Sequence, residues 1–238
     1  MKTKRSLGQN FFINEHLGEK IVEIILSESP SSITEIGPGR GFFTGKLQSK
    51  VNQIYCVEKD DNLSKILEQQ YPSLTVFNED FLDFDLNKLP KDTLFFGSLP
   101  YNVSKPIIRK ILASENFTKP AYFIIQKEVA DKYIAKEPKN NLLSLSTQLY
   151  ATPSKIFNIK SGSFRPKPKV ESAFIKFVPN KKENIPEGFE SFLKKSFRSP
   201  RKTLRNNLQV KGSHTLLDKR PSDLSLNEYL ILFDQNLI

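Results

Sequence analysis

The stretch Glu35-Ile36-Gly37-Pro38-Gly39-Arg40-Gly41 decides the fold, because it lies at the end of the first predicted strand and precedes a helical pattern. Its glycines let the backbone turn sharply and approach a ligand closely, and the start of the next helix offers unpaired N–H groups. The spacing departs from the dinucleotide fingerprint G-x-G-x-x-G. A carboxylate before the first glycine favours a cationic or amine-bearing ligand over a pyrophosphate.

Short apolar runs alternate with helical patterns from Ile33 onward, which is typical of βαβ units and a mostly parallel sheet. The runs predict strands at Ser32–Ile36, Gln53–Val57, Thr75–Phe77, Thr93–Phe96, Ala121–Ile125, Lys155–Ile159 and Ser172–Val178. Apolar spacing predicts helices at Phe42–Ser49, Asn62–Gln70, Lys105–Ala113, Lys127–Ala135, Leu142–Tyr150, Ser191–Leu208 and Ser225–Phe233. A polar linker at Pro179–Gly188 divides the chain into predicted domains 1–179 and 180–238.

The chain of 238 residues carries a net charge of +10, which calls for a polyanionic partner. Nucleic acid is the first candidate, because Lys and Arg that neutralise phosphates release counterions and so drive binding.

The cysteine and histidine content bears on the compartment and on metal binding. The single cysteine, Cys56, excludes an internal disulfide and fits a reducing cytoplasm. His16 and His214 have no neighbouring ligand cluster, so we expect no protein-bound metal. The first ten residues lack the apolar stretch of a signal peptide, and no segment is long enough to span a membrane. We therefore expect a cytoplasmic protein.

Carboxylates follow three successive predicted strands. Glu35 ends the first, and Glu58 ends the second about 20 residues after the glycine loop, where such a carboxylate receives ribose hydroxyls. Asp80 follows the third strand and could accept a hydrogen bond from an adenine amino group. Together they predict a site for a nucleoside that carries no phosphate.

Ser98-Leu99-Pro100-Tyr101 follows the fourth predicted strand. The proline fixes φ and has no N–H, so carbonyls of the turn can accept hydrogen bonds, and the tyrosine offers a stacking face. Taken alone this is an ordinary proline turn. Beside the three carboxylates, it predicts a shelf for a flat base whose exocyclic amine must be held still.

These motifs resemble class I S-adenosylmethionine-dependent methyltransferases, specifically the ribosomal RNA adenine dimethyltransferase family of the small-subunit methyltransferase A type. The resemblance runs in family order over nearly the whole chain. It rests on Gln9–Phe12, Glu35–Gly41, Glu58, Asp80, Ser98–Ser104, Phe164–Ser172 and Arg201–Leu208. It implies an α/β fold with a Rossmann-like, mostly parallel sheet whose last strand is antiparallel, followed by a small C-terminal helical domain that binds RNA.

The resemblance also implies S-adenosylmethionine as cofactor. Asn10 and Phe12 would close over its methionine part, the glycine loop would form its floor, and Glu58 and Asp80 would hold its ribose and adenine. The implied cofactor-binding residues are Asn10, Phe12, Gly37, Gly39, Glu58, Asp80 and Ser98.

For the target base, the resemblance implies Ser98, Leu99, Pro100 and Tyr101, with Phe164 packing on the other face of the base. Family members usually have asparagine where this chain has Ser98. Serine keeps an acceptor oxygen but is shorter and lacks the amide donor. Because other amino-methyltransferases use serine here, we expect an active but slower enzyme.

Seven basic residues and no acidic one lie between Lys194 and Lys211. Arg201, Lys202 and Arg205 would share one helix face if Ser199 caps that helix and Pro200 starts it, and this face would contact RNA phosphates. Further basic residues that could extend the surface are Lys2, Lys4, Arg5, Arg165, Lys167 and Lys169.

The leading interpretation is dimethylation of the adenine amino group, on two adjacent adenosines of small-subunit ribosomal RNA, by a monomer that acts on a 30S-type assembly intermediate. One alternative is methylation of large-subunit RNA, as in related antibiotic-resistance enzymes. Another is a ribosome-assembly factor with weakened catalysis, for which Ser98 is the sequence support. A nicotinamide-dependent dehydrogenase is disfavoured by the glycine spacing.

Overall fold

The computed structural model describes residues 10–180, 185–211 and 213–234. Predictions for Gln9, Lys2, Lys4 and Arg5 concern residues outside these ranges.

Nine strands form within the described residues. They are β1 (Phe11–Phe12), β2 (Ser32–Ile36), β3 (Gln53–Val57), β4 (Thr75–Phe77), β5 (Leu94–Ser98), β6 (Ala121–Gln126), β7 (Ala151–Ile159), β8 (Phe164–Arg165) and β9 (Ser172–Pro179).

The α-helices of the described residues alternate with these strands up to β6, except between β4 and β5, where a short 3-10 helix at Leu86–Lys88 takes their place. They are α1 (Glu15–Leu26), α2 (Phe42–Leu47), α3 (Asp61–Gln70), α4 (Ser104–Leu112), α5 (Lys127–Tyr133), α6 (Leu142–Gln148), α7 (Phe189–Ser196), α8 (Leu204–Leu208) and α9 (Leu226–Asp234).

Seven strands form one sheet in the order β4-β3-β2-β5-β6-β9-β7, and β1 pairs with β8 in a separate antiparallel ribbon. The β2–β3, β3–β4, β2–β5 and β5–β6 pairs are parallel, whereas β9 runs antiparallel to β6. The order reverses between β2 and β5, and ligands of open α/β sheets bind at such a point, beyond the carboxyl ends of the strands. The expected fold class, a mostly parallel methyltransferase sheet with an antiparallel strand near its end, is confirmed.

Side chains of the sheet, of α1 and of α2 share an apolar core. Every residue of β2 is buried, since helices pack around the sheet. Ile21 and Ile25 of α1 join Phe43 of α2 and Phe96 of β5 in that core. Helix α1 was not predicted from the sequence, although Asn14 caps it by accepting the Leu17 N–H at 3.1 Å.

The predicted helical region Ser191–Leu208 is not continuous in the structure. It is divided into α7 and α8 by a turn in which the Lys202 N–H donates to the Ser199 carbonyl at 2.9 Å. The Asn207 side chain accepts from the Ser199 N–H at 2.8 Å and donates to the Ser199 carbonyl at 3.1 Å. These side-chain bonds stabilise the turn in place of a helix, so α8 begins at Leu204 and not at Pro200.

Contacts divide the chain into two compact units. The first runs to Ala130 and resumes at Ser154–Pro179, and the second contains Asp131–Pro153 and the chain from Asn180 onward. The sequence-based division at 179/180 assigned Asp131–Pro153 to the first domain. In the structure this segment belongs to the second unit, because Leu145 of α6 is buried in the same apolar cluster as Phe189 of α7.

Candidate active site

A cavity of about 850 Å³ opens in the first unit, where β2, β3 and β5 end. Its volume falls in the range of small-ligand sites. Its wall contains all the residues that the sequence analysis assigned to cofactor and target base, namely Asn10, Phe12, Gly37, Gly39, Glu58, Asp80, Ser98, Leu99, Pro100, Tyr101 and Phe164.

The glycine loop after β2 needs its glycines. Gly37, Gly39 and Gly41 have φ values of +63°, +61° and +78°, which side chains with a Cβ rarely adopt. No atom lies within 4 Å of the position that a Cβ of Gly37 would take. The loop therefore presents bare backbone to the cavity at that point.

Glu58 connects the glycine loop to the end of β3. Its Oε2 accepts the Gly39 N–H at 3.0 Å, and its Oε1 accepts the Asp60 N–H at 2.9 Å. Burial raises the pKa of Glu58, against the lowering effect of these two hydrogen bonds. A carboxylate offers about four acceptor positions, so Glu58 can also accept a hydroxyl donor from a ligand.

Asp80 lies in a tight turn after β4. Its Oδ1 accepts the Leu82 N–H at 2.9 Å, and its Oδ2 forms an ion pair with Lys59. Partial burial acts to raise the pKa of Asp80, but the hydrogen bonds from Lys59 and Leu82 outweigh it and lower the pKa. The carboxylate is therefore ionised and oriented at the cavity wall.

Glu35, the last residue but one of β2, is only 2% exposed. Its Oε2 accepts the hydroxyl of Thr44 at 2.6 Å. Burial raises the pKa of Glu35 to about 7, and the charge of Glu58 adds to that effect. A positively charged ligand in the cavity would favour the ionised form.

The base-shelf motif begins where β5 ends. Gly97 precedes it because a Cβ there would lie 2.7 Å from the Ile36 carbonyl of the neighbouring strand. The Leu99 N–H donates to the Ile124 carbonyl at 3.0 Å, and the Pro100 carbonyl accepts the Val103 N–H at 3.2 Å. The backbone of the turn is thus attached to β6 on one side and to the start of α4 on the other.

Tyr101 is anchored through its hydroxyl. This group shares a hydrogen bond of 2.7 Å with the hydroxyl of Ser172, which is fully buried at the start of β9. Burial raises the pKa of Tyr101, and the bond to Ser172 opposes that shift only in part. The phenol is therefore neutral, and its ring has a fixed position in the cavity wall.

The β1–β8 ribbon forms another wall of the cavity. The Phe12 and Phe164 rings meet edge to face at 5.2 Å, and both side chains are at most 5% exposed. Phe11 lies over the glycine loop, with the Arg40 guanidinium 4.8 Å from its ring centre. Phe164 thus lines the cavity while its ring packs against Phe12.

Sequence reasoning missed three residues that orient this site: Thr44, Lys59 and Ser172. Lys59 directly follows Glu58, so its position next to a strand-end acid was the available signal. Thr44 and Ser172 contact their partners only after folding. No periodicity or motif spacing marks such contacts.

The predicted RNA-binding residues lie in the second unit. Arg201 and Lys202 are exposed in the turn before α8, so they do not share a helix face with Arg205. Arg205 also forms an ion pair with Asp218 at 2.8 Å. The acidic partner comes from outside the basic segment, which is why the sequence segment alone did not reveal it.

The described residues contain neither a metal-binding cluster nor a membrane-spanning helix. No group of three or more His, Cys, Asp or Glu side chains there is arranged to hold a metal ion. In the same part of the chain, no helix is both long and apolar enough to cross a membrane.

Comparison with known proteins identifies the family. The model of the family described as ribosomal RNA adenine dimethylase matches residues 1–228. The chain belongs to this dimethylase family. It is 33% identical to a protein named Ribosomal RNA small subunit methyltransferase A from Chlorobium phaeobacteroides, with 98% of this chain and 90% of that protein covered. A protein of the same name from Malacoplasma penetrans is 37% identical, with 95% and 89% covered.

Solved structures support the dimethylase fold. A dimethyladenosine transferase from Plasmodium falciparum superposes with a TM-score of 0.80 at 21% identity, over 94% of this chain and 98% of that one. The 23S rRNA methyltransferase ErmE superposes with a TM-score of 0.72 at 22% identity, over 95% and 99%.

Proposed function

We propose that this member of the dimethylase family transfers methyl groups from S-adenosylmethionine to the amino group of adenine in small-subunit ribosomal RNA, twice per base. One observation supports this best: a single cavity contains a glycine loop, three strand-end carboxylates and the Ser98–Tyr101 shelf. The first two fit a nucleoside that carries an amine and no phosphate. The shelf fits a second flat base.

The residues present fit S-adenosylmethionine, which when bound supplies a methyl group on a positively charged sulfur. Bare backbone at Gly37 leaves room for the methionine part, with Asn10 and Phe12 beside it. Glu58 would accept ribose hydroxyls with its unused lone pairs, and Asp80 would accept the adenine amino group. Glu35, when ionised, would provide negative charge for the ammonium group of the cofactor's methionine part.

The target nitrogen is a poor nucleophile because its lone pair is delocalised into the adenine ring. Ser98 and a backbone carbonyl of the shelf would hold its two N–H groups, which favours a pyramidal nitrogen aimed at the methyl carbon. Tyr101 would stack on the base. Catalysis then comes from positioning and electrostatics, so no strong general base is needed.

The target adenine has to leave any helix to enter the cavity, as in other enzymes that act on bases. The choice of small-subunit RNA rests on the curated relatives, which are named small-subunit methyltransferases. This chain matches 90% and 89% of their length. We further propose that two adjacent adenosines are modified on a 30S-type assembly intermediate, by a monomer in the cytoplasm. A single buried cysteine fits that reducing compartment.

We propose the second unit, or the predicted domain 180–238 within it, as an RNA-binding part. Arg201 and Lys202 expose their charges in the turn before α8, and five further basic residues lie between Lys194 and Lys211. Phosphate groups are the matching ligand. Arg205 would contribute less, because Asp218 already neutralises it.

The test is methyl transfer to ribosomal subunits isolated from cells that lack this protein. Labelled methyl groups should enter small-subunit RNA. Label in large-subunit RNA alone would favour methylation of the large ribosomal RNA instead. Binding of small-subunit RNA without transfer would indicate an assembly factor with weakened catalysis.

A further inference from the structure

Lys110 lies in the second half of α4, the helix that follows the base shelf, and its ammonium group binds a different loop. It donates to the backbone carbonyls of Phe81, Leu82 and Phe84 at 2.9, 2.7 and 2.6 Å. All three N–H bonds of the ammonium are thereby used. The contacts span 26 to 29 residues of sequence, so they join two separate segments.

The bound carbonyls belong to the turn that carries Asp80. Within this turn the Asp83 and Phe84 N–H groups both donate to the Asp80 carbonyl at 2.9 Å, and Leu82 donates to its side chain. The carbonyls of Phe81, Leu82 and Phe84 in this turn all accept hydrogen bonds from the Lys110 ammonium group. A charge-assisted hydrogen bond is about twice as strong as a neutral one, so three of them restrain the turn firmly.

Lys110 also supports the cavity wall directly. Its ammonium lies 5.7 Å from the centre of the Phe81 ring, and Phe81 lines the cavity next to Asp80. The turn contains further carboxylates at Asp83 and Asp85, whose mutual repulsion a nearby cation reduces.

We propose that Lys110 is a positioning residue for the adenine of the cofactor: by holding three carbonyls of one turn, it fixes the Asp80 carboxylate where it can accept the adenine amino group. This rests on the proposed function, in which Asp80 recognises that amino group. Lys110 itself is not among the residues that line the cavity. Because α4 also begins at the base shelf, the same side chain keeps the cofactor site and the target-base site in one fixed geometry.

The test compares two ligands by calorimetry on the full chain. S-adenosylhomocysteine carries the adenine amino group, and S-inosylhomocysteine has a carbonyl oxygen in its place. We expect the wild type to prefer the first by about tenfold or more, the value of one hydrogen bond to a charged acceptor. In Lys110→Met the preference should fall to about threefold or less, because the displaced carboxylate no longer reads the amino group.

Lys105→Met is the matched control, since Lys105 is exposed on the same helix, and it should keep the wild-type preference. If Lys110→Met does not fold, Lys110→Arg serves instead: its planar fork cannot reach three convergent carbonyls, so the preference should fall in part. If the wild type prefers S-adenosylhomocysteine and both Lys110 variants show the same preference, the role of Lys110 is overturned. The proposed cofactor site would then stand. A wild type that binds neither ligand, or both equally, would contradict the proposed cofactor site and remove the basis for the role.

Discussion

The hydroxyl of Thr44 donates a hydrogen bond of 2.6 Å to the buried carboxyl of Glu35. Thr44 lies on the helix after the glycine loop, and Glu35 lies on the strand before it. The bond therefore connects both ends of the loop through a titratable group. The pKa of Glu35 is about 7, against an ordinary value of 4.5, so the loop is sensitive to pH near neutrality.

Stability should depend on pH through Glu35. Because the folded state holds the proton more tightly than the unfolded chain, the contribution of Glu35 is complete below pH 4.5 and is lost as pH rises through about 7. Glu35→Gln mimics the neutral form, so its free energy of unfolding should fall less over that interval. Urea unfolding at a series of pH values measures this. The exposed Glu68→Gln is the control, and wild-type and Glu35→Gln curves that stay parallel would contradict the assignment.

The hydrogen bond between Tyr101 and Ser172 should matter for transfer. Tyr101→Phe and Ser172→Ala each remove it and should lower stability by about 1 kcal/mol and reduce the turnover rate by loosening the ring. The double variant should be little worse than either single variant, because both remove the same bond. Thermal unfolding and methyl transfer at saturating cofactor measure the cycle. Fully additive losses would show that the two hydroxyls act independently.

Ser98 should be a working acceptor. Ser98→Ala should lower the transfer rate about tenfold, as expected for one hydrogen bond to the reacting amine, and Ser98→Asn should raise it. Calorimetry with S-adenosylhomocysteine on the same variants separates an effect on the amine from one on cofactor binding. Full transfer by Ser98→Ala would mean that the hydroxyl does not hold the amine.

Exposed charge in the second unit should determine the salt dependence of RNA binding. Replacing Arg201 and Lys202 by Glu should weaken binding of small-subunit RNA and reduce the salt slope by about one for each phosphate that is no longer neutralised. Arg205→Ala should change the slope less, because Asp218 already pairs with Arg205. Filter binding at several salt concentrations measures the slope, with exposed Lys65→Glu on α3 as control. An unchanged slope in the Arg201 and Lys202 variant would rule out this surface.

Local sequence signals were sufficient for much of the fold. The bounds of β2, β3 and β4 agree with the predicted ones, because each strand is a short run that contains β-branched or aromatic residues and ends near turn residues. The same signals placed Glu58 and Asp80 at strand ends. Parallel strands then bring those ends to one edge, so the sequence sufficed to predict that these side chains line one cavity.

Long-range partners could not be predicted in this way. Tyr101 and Ser172 are 71 residues apart, and only the antiparallel pairing of β9 with β6 brings them together. The turn before α8 depends on Asn207, whose side chain binds the backbone of Ser199 in competition with a helix. The helix therefore begins at Leu204 and not at the predicted Pro200.

Dimethylation of adenine in small-subunit RNA is tested by mass analysis of its nucleosides, after incubation of unmodified small subunits with the protein and S-adenosylmethionine. The cavity architecture predicts the appearance of N6,N6-dimethyladenosine, with its yield sharply reduced in an Asp80→Ala variant that still folds. Small-subunit RNA without any dimethyladenosine, under conditions where the protein binds S-adenosylmethionine, would contradict the proposed dimethylation.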